Sequence, residues 1–570
     1  MPNSNSIDKQ VKSKKRVADH GEVFTAEREV NAMLDLVKHE IERINSRFLE
    51  PACGTGNFLA EVLRRKLAVV DALYAKNQTG WERYAILAVS SIYGVDILED
   101  NVEECRNRLF EIFDDAHKKQ FPAVGAPLQR SAKFLLNRNI LWGDALDFTN
   151  PETKAPIVFS EWSAVNGSMM KRRDYMFRFL VEKRHQFSLF NDEGNAANID
   201  EPVKDFPLIH FLELGGDAQF ERLYDDNNNF IPTDKPGNMK FDVIVGNPPY
   251  QFNVSVKSKS YAIPIYDKFV LQAIRLNPRY LCMIIPARWY AGGRGLDDFR
   301  DVMLNDKRMK VLVDYTDSIV CFPGVEIKGG VCYFLWDRDT IGDCKIISYR
   351  KDHKMPVVTR PLLEHGMDTF VRYNEAIPIL NKVLAFNEIS FSELVSVQTP
   401  FGFISSFKNF KNQPFENSVK LFAQNHIGYV DRHLIDKNIE WVDKHKIFIS
   451  KSYNAGENFP HQIINKPFLG GLNSCCTQTY IAIAPFKSEN EAKNAIAYIS
   501  TKFFRFMVML KKISQDAMRG VYSLVPVQDF SEEWTDEKLY KKYNLTGEEM
   551  GFIESMIRPM NMPCNLSVKI

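Results

Sequence analysis

The sequence lacks long hydrophobic runs, spaced cysteine pairs and any excess of charge. No apolar stretch among its 570 residues approaches the roughly 18 to 20 residues that span a bilayer. The polar N-terminal residues 1–20 have no apolar core of the kind found in a secretory signal peptide. We therefore expect a cytoplasmic protein that has no membrane partner.

Cysteine is sparse and is not arranged for metal binding or disulfide formation. The nine cysteines include no Cys-x-x-Cys pair, and only Cys475 and Cys476 are adjacent. Zinc ribbons and disulfide frameworks both depend on spaced cysteines, so neither is expected. The cysteines are predicted to be reduced thiols, with Cys53 the one near a candidate site, and no metal site is predicted.

The charge balance does not by itself indicate a nucleic-acid-binding protein. Its 73 basic and 72 acidic residues give a formal net charge of +1. A surface that binds DNA must then come from an uneven distribution of charge, because phosphate neutralisation depends on the local density of Lys and Arg. The length is too great for one ordinary core, which predicts at least two domains.

Apolar, strand-like runs alternate with longer amphipathic stretches along the first part of the chain, which is typical of βα units and a parallel sheet. The candidate strands are Arg47–Leu49, Ile92–Val95, Asn139–Trp142, Phe241–Val245, Tyr280–Ile285, Lys310–Val313 and Val331–Trp336. They predict an α/β, doubly wound, Rossmann-like sheet in a domain of residues 1–345. Residues 346–570 show short mixed segments instead, which predict a second, mixed α+β domain.

One interval, residues 150–239, interrupts this alternation. It is polar, mixed in charge and broken by an asparagine run and prolines. Loops longer than about 15 residues are unusual in a compact core, so the interval is interpreted as an insertion with a helix around Tyr175–Lys183. Two interpretations stay open: a lid or DNA-facing element, or a surface insertion without a role.

A Gly-x-Gly turn follows the first strand, within Glu-Pro-Ala-Cys-Gly-Thr-Gly-Asn-Phe at residues 50–58, and precedes the amphipathic run Leu59–Val70. Small residues there allow a ligand to approach the backbone at the carboxyl end of a strand, where doubly wound sheets bind nucleosides. The third glycine of the dinucleotide fingerprint is missing. The turn therefore favours a ligand smaller than NAD.

The next two strands each end in an aspartate. Asp96 stands where an acid can accept hydrogen bonds from both ribose hydroxyls, although it can instead cap the following helix, expected at Leu98–Phe110. Asp144 can accept a hydrogen bond from an adenine amino group. Three successive strand ends therefore suggest one adenosine site.

Asn247, Pro248, Pro249 and Tyr250 directly follow the strand at Phe241–Val245. The N6 amine of adenine is a poor nucleophile because its lone pair is delocalised into the ring. Two acceptors, the Asn247 side-chain carbonyl and the Pro248 backbone carbonyl, can bind the amine hydrogens and return that pair to nitrogen. The prolines hold both acceptors at one point, and Tyr250 offers a face for stacking. The alternative interpretation is a Pro-Pro turn that closes a strand.

These motifs, in this order, resemble the adenine-N6 DNA methyltransferases of restriction-modification systems in their γ arrangement, in which a target-recognition domain follows the catalytic motif. The resemblance implies a methyltransferase fold that binds S-adenosyl-L-methionine and methylates a flipped-out adenine in double-stranded DNA. It also implies protection of host DNA, with a separately encoded restriction endonuclease as a candidate partner. Recognition would belong to residues 346–570, where basic and polar stretches occur at Ser405–Asn412, Asp431–Lys446 and Lys511–Arg519.

The resemblance also implies roles for single residues. Thr25, in the segment Gly21–Ala26, would contact the methionine part of the cofactor, although many relatives have Thr-Pro where this chain has Thr25-Ala26. The implied cofactor-binding residues are Thr25, Glu50, Ala52, Cys53, Gly54, Gly56, Asp96, Ile97, Asp144 and Ala145. The implied catalytic residues are Asn247, Pro248 and Tyr250. Phe322 would contact the target base on the face opposite Tyr250.

Two other functions stay open. Asp314 with Glu326 and Lys328 imitates the Asp and Glu-x-Lys spacing of metal-dependent endonucleases, which would make the protein a bifunctional nuclease and methyltransferase. An RNA or a protein amide can also be the acceptor for an Asn-Pro-Pro-Tyr motif, but the large C-terminal region argues against this. A monomer is expected.

Overall fold

The computed structural model describes residue 16 and the ranges 23–122, 125–182, 202–216, 239–256, 259–293, 295–325, 327–350, 353–364, 366–424, 426–453, 459–512 and 515–560. The chain forms two compact units, Met1–Leu362 and Leu363–Ile570. The expected boundary after residue 345 falls earlier than this division, because strands after that residue still belong to the sheet of the first unit.

The strands of the first unit are β1 Phe48–Glu50, β2 Ile92–Asp96, β3 Ile140–Trp142, β4 Val158–Val165, β5 Met169–Met176, β6 Lys204–Asp205, β7 Ile209–His210, β8 Val243–Gly246, β9 Gln251–Val256, β10 Lys259–Pro264, β11 Tyr280–Pro286, β12 Met309–Tyr315, β13 Val331–Asp337, β14 Cys344–Arg350, β15 His353–Lys354 and β16 Val358–Arg360. Its helices are α1 Glu27–Asp35, α2 Lys38–Ile41, α3 Asn57–Tyr74, α4 Gln78–Ser90, α5 Glu99–Gln120, α6 Ala126–Asn139, α7 Phe177–Glu182, α8 Tyr266–Leu276 and α9 Asp297–Asn305.

A ten-stranded sheet forms the centre of this unit, in the order β15-β14-β12-β13-β11-β8-β1-β2-β3, with β16 paired to β14. The five strands from β3 to β11 run parallel. Every residue of β8 and β11 is buried, as expected for parallel strands covered on both faces. The predicted α/β fold with a central, mostly parallel sheet is confirmed, and all seven candidate strands lie in it.

Helix α3 begins directly after the glycine turn, and its start depends on glycine. Gly56 has a φ of 79°, and a Cβ atom there would lie 2.5 Å from Cys105 Sγ, so a side chain is excluded both by the backbone and by the space. An apolar stripe that includes Leu59, Leu63 and Leu67 is buried along the helix. This packing holds the turn against the carboxyl edge of the sheet.

The interval 150–239 contains a small sheet of its own, formed by β4 to β7. The Tyr93 hydroxyl, on β2, donates to the Ser160 carbonyl (2.9 Å), and Trp162 Nε1 donates to Asn139 Oδ1, at the end of α6 (2.9 Å). These two bonds join the small sheet to elements of the central sheet and its helices. The helix expected around Tyr175–Lys183 is α7, and β5 occupies the positions just before it. Residues 183–201 and 217–238 lie outside the described part.

The second unit combines strands and helices. Its strands are β17 Ser418–Ala423, β18 His426–Asp431, β19 His445–Ser450, β20 Phe468–Leu469, β21 Ser474–Cys476 and β22 Tyr480–Phe486, and its helices are α10 Ala376–Leu384, α11 Glu489–Ser500, α12 Lys502–Met509, α13 Asp536–Lys542 and α14 Gly547–Met556. The strands form two three-stranded sheets, each packed on an apolar cluster. Among the residues described in either unit, none forms a helix long and apolar enough to cross a membrane.

Candidate active site

The carboxyl ends of β1, β2, β3 and β8 meet at one edge of the parallel sheet, and a cavity of about 620 Å³ opens there. The proposed site residues that line it are Thr25, Glu50, Ala52, Cys53, Gly54, Asp96, Ile97, Asp144, Ala145 and Asn247. Four others do not line it: Gly56, Pro248, Tyr250 and Phe322. Strand ends far apart in the sequence thus share one cavity, because parallel strands place their carboxyl ends on the same side.

Asp96 connects the glycine turn to the second strand. One carboxylate oxygen accepts from the Gly54 backbone N–H (2.8 Å), and the other accepts from the Leu98 N–H (2.9 Å) and from Asn101 Nδ2 (3.3 Å). Asp96 therefore binds the segment that leads into α5, but it is not the cap of that helix, because the N-cap residue is Leu98 and no side-chain capping bond is formed there. The carboxylate shapes the turn and also lines the cavity.

Gly54 lies in a tight space. A Cβ atom on this residue would be 3.2 Å from the ring of Phe24, and its φ of +51° is one that side chains rarely adopt. Phe24 therefore packs closely on the glycine turn. The N-terminal segment, described from Val23 onward, thus forms one wall of the cavity.

Asp144 shapes the opposite wall. Its Oδ1 accepts from the backbone N–H groups of Leu146 (2.8 Å) and Asp147 (3.3 Å), which holds the loop after β3 in a turn. The carbonyl of Ala145 accepts from Gln272 Nε2 (2.6 Å). Helix α8, which carries Gln272, is thereby fixed against this loop.

Glu50 is a buried carboxyl group with an unused oxygen. It is 3% exposed, and no described residue makes a hydrogen bond to its Oε2. Burial raises the pKa of this carboxyl well above its usual range, and the neighbouring Cys105 and Asp96 raise it further. The Thr25 hydroxyl is likewise buried without a partner among the described residues. Buried polar atoms without partners are costly, and both residues line the cavity.

Asn247 lines the cavity, and the two ends of its side-chain amide differ in their contacts. Its Nδ2 donates to the Val23 carbonyl (2.8 Å), whereas its Oδ1 is buried and has no partner in the described part of the chain. Because an amide oxygen only accepts and an amide nitrogen only donates, this bond orients the acceptor. The site therefore contains a buried amide oxygen whose orientation is set by the bond from Nδ2.

Tyr250 and Phe322 are in contact. Their ring centroids are 6.2 Å apart and their planes meet at 80°, an edge-to-face arrangement. Phe322 is fully buried. Burial raises the pKa of the Tyr250 hydroxyl, and its interaction with the Asn247 side chain opposes part of that rise. Phe322 thus sets the orientation of the Tyr250 ring.

Two residues that the sequence analysis did not identify support the N-terminal wall. Asn57 Nδ2 donates to the Thr25 carbonyl (3.0 Å), and Arg108 Nη1 donates to Asn57 Oδ1 (2.6 Å). Asn57 lies within the glycine motif at residues 50–58, so the sequence alone could have identified it as a candidate site residue. Arg108 lies on α5, more than fifty residues away, and no local pattern connects it to the turn.

The nuclease alternative has little support from the geometry. The Asp314 carboxylate is fully buried and accepts from the Tyr290 hydroxyl (3.0 Å), whereas Lys328 is exposed. Glu326 lies outside the described residues. Within the described ranges, no three His, Cys, Asp or Glu side chains are grouped as they would be to hold a metal ion.

Sequence comparisons match this chain to methylases. The model of the Eco57I restriction-modification methylase family matches residues 90–322. A Mycoplasma pneumoniae protein described as an uncharacterized adenine-specific methylase is 45% identical over 150 residues, which are 26% of this chain and 33% of that protein. The matched region thus spans about a third of the length of this curated relative.

Comparison with solved structures gives low scores. The type IIL restriction-modification enzyme MmeI in complex with DNA aligns with a TM-score of 0.47 at 10% identity, over 96% of this chain and 75% of the other. A nuclease-deletion mutant of the type ISP restriction-modification enzyme LlaGI, bound to a DNA substrate mimic, aligns with a TM-score of 0.44 at 9% identity, over 87% of this chain and 45% of the other.

Proposed function

We propose that this chain is a site-specific DNA adenine-N6 methyltransferase of a restriction-modification system. The observation that carries the proposal is Asn247, whose buried Oδ1 has no partner among the described residues. This residue lines the same cavity as the strand-end acids Glu50, Asp96 and Asp144. The matches to a restriction-modification methylase family and to an adenine-specific methylase support the choice of acceptor. Methylation would protect host DNA from a cognate endonuclease encoded separately.

The cavity walls suit S-adenosyl-L-methionine, which supplies an electrophilic methyl group when bound. Glu50 and Thr25 have buried polar atoms without partners among the described residues. Of the two, the carboxylate is the natural partner for the ammonium group of a methionine. Asp96 and Ile97 would hold the ribose side, and Asp144 would hold the adenine of the cofactor.

Asn247 would activate the target amine by accepting one of its hydrogens. The Pro248 backbone carbonyl would accept the other, so that the nitrogen lone pair is drawn out of the ring system and is available for bonding. Preset acceptors of this kind cost no reorganisation during the reaction. After the methyl group is attached, the positively charged amine loses one proton, so no strong base is required.

The target adenine would have to leave the double helix to reach this turn. Extrusion of a base costs a few kcal/mol, and stacking on Tyr250 offsets part of that cost. Phe322, which packs edge-to-face on Tyr250, would hold that ring in place. Selection of the target sequence would fall to the second unit, residues 363–570.

Methylation of plasmid DNA by the purified protein, followed by single-molecule sequencing, tests the proposal. We expect N6-methyladenine in one short sequence context. Modified cytosine, or no modified DNA, would contradict the proposal. Parallel reactions with RNA and with protein, using radiolabelled cofactor, test the alternative acceptors, and we expect label in DNA only.

A further inference from the structure

Two large apolar side chains are exposed on the hairpin that follows Tyr250. Phe252 is 52% exposed and Ile263 is 47% exposed. Strands β9 and β10 are antiparallel, and Phe252 is paired directly with Ile263. Residues directly opposite one another project to the same face of a hairpin. The two side chains therefore form one apolar patch.

No described strand extends this hairpin, because β9 and β10 pair only with each other in the part of the chain that the structure describes. Single exposed apolar side chains are common, so the position of this pair beside the cavity matters more than its area. Phe252 also lines the cavity that contains Asn247. The patch thus adjoins the place that the target adenine would enter.

The charge of this region suits a polyanion. The chain has no Asp or Glu from Val243 to Tyr266, and it has two lysines in that interval. Lys268, which is exposed, lines the cavity just after it. Asp267, the first acid after the interval, is only partly exposed. The hairpin segment itself therefore adds no negative charge that would repel DNA phosphates.

We propose that Phe252 and Ile263 pack against the nucleotide next to the extruded adenine, on the strand that carries the target. This inference rests on the proposed function. When a base leaves the double helix, its neighbour loses a stacking partner and exposes an apolar face. Aromatic side chains provide a replacement for that partner whatever the neighbouring base is. The hairpin would thereby hold the opened duplex while Asn247 holds the amine.

A fluorescence experiment tests this inference directly. A duplex that contains the mapped target sequence carries 2-aminopurine in place of the target adenine, because this base becomes brightly fluorescent when it leaves the stack. Phe252→Ala and Ile263→Ala are compared with Ile341→Ala, a matched control in which another exposed apolar side chain, 73% exposed, is removed from the turn after β13. We expect Phe252→Ala to lower both DNA affinity and the fluorescence gain about tenfold or more, and Phe252→Trp to preserve most of both.

Binding of S-adenosylhomocysteine, measured by calorimetry, completes the test, and we expect Ile263→Ala, at a residue that does not line the cavity, to leave it unchanged. Two results would overturn this inference and leave the proposed function intact. In the first, Phe252→Ala and Ile263→Ala behave like Ile341→Ala. In the second, Phe252→Ala loses affinity for the cofactor but not for DNA. A wild-type protein that methylates no DNA would instead contradict the proposed function, and the inference with it.

Discussion

The side-chain amide of Asn247 donates a hydrogen bond to the backbone carbonyl of Val23 over 2.8 Å, although the two residues are 224 positions apart. The bond fixes the orientation of the amide, because only Nδ2 can donate to a carbonyl and Oδ1 is thereby turned away from Val23. Val23 begins the wall that also contains Thr25. One hydrogen bond therefore joins the wall proposed to bind the cofactor to the proposed catalytic acceptor.

Replacement of Asn247 tests this orientation. Asn247→Ala removes the acceptor, whereas Asn247→Asp keeps an oxygen toward the cavity but places a second oxygen against the Val23 carbonyl. We expect both variants to lower the single-turnover methylation rate at least about a hundredfold, with binding of S-adenosylhomocysteine largely preserved. An Asn247→Asp variant with a rate near that of the wild type would show that the Val23 bond is not needed.

Asn57 offers a second test of the same wall. Asn57→Asp still accepts from Arg108 but no longer donates to the Thr25 carbonyl, and Asn57→Ala loses both bonds. The loss of one such bond is worth about 1 kcal/mol. We therefore expect the affinity for S-adenosylhomocysteine to fall about fivefold in Asn57→Asp. Calorimetric titration measures this change, and an unchanged affinity would contradict the role of Asn57 in holding the Thr25 wall.

Asp96 is expected to act mainly on binding and stability. An amide at this position offers one acceptor oxygen where the carboxylate has two, so in Asp96→Asn either the Gly54 or the Leu98 N–H loses its partner. We expect the free energy of unfolding to fall by about 1–3 kcal/mol and cofactor affinity to fall, measured by thermal denaturation and calorimetry. Glu103→Gln, on an exposed position of α5, is the control, and equal behaviour of the two variants would count against the role of Asp96.

The buried carboxyl group of Glu50 is expected to make the stability of the folded protein depend on pH. Because burial raises its pKa in the folded protein, the folded state binds this proton more strongly than the unfolded state does. The carboxyl therefore lowers stability as pH rises from the usual glutamate pKa of about 4.3 through the raised value. At pH values above this window, we expect Glu50→Gln to have a higher melting temperature than the wild type.

The same variant is expected to bind the cofactor less tightly. The carboxylate, not the carboxylic acid, is complementary to an ammonium group, so wild-type affinity should rise with pH through the raised pKa, and that rise should disappear in Glu50→Gln. Calorimetric titration with S-adenosylhomocysteine across this range measures the effect. Identical pH profiles for the two proteins would show that Glu50 does not bind the ammonium group.

Much of the first unit could be predicted from local pattern. Each of the seven apolar runs forms a strand of the central sheet, because strands that are covered on both faces need continuous apolar sequence. The pairing of distant strands was not predictable in this way. Strand β13 lies antiparallel between β11 and β12, and β14 to β16 extend the sheet past residue 345. Such pairing depends on contacts between segments that no local periodicity records.

By itself, the sequence determined which chemical groups stand at the strand ends: the acids Glu50, Asp96 and Asp144, and the amide Asn247. Parallel strands place those ends at one edge, so their convergence on one cavity followed from the fold class. Only the tertiary structure decided that Gly56 makes room for Cys105, that Phe322 packs on Tyr250, and that Val23 orients the Asn247 amide. These are contacts between side chains or carbonyls that are distant in the sequence, and their geometry is set by packing, which residue type and spacing do not specify.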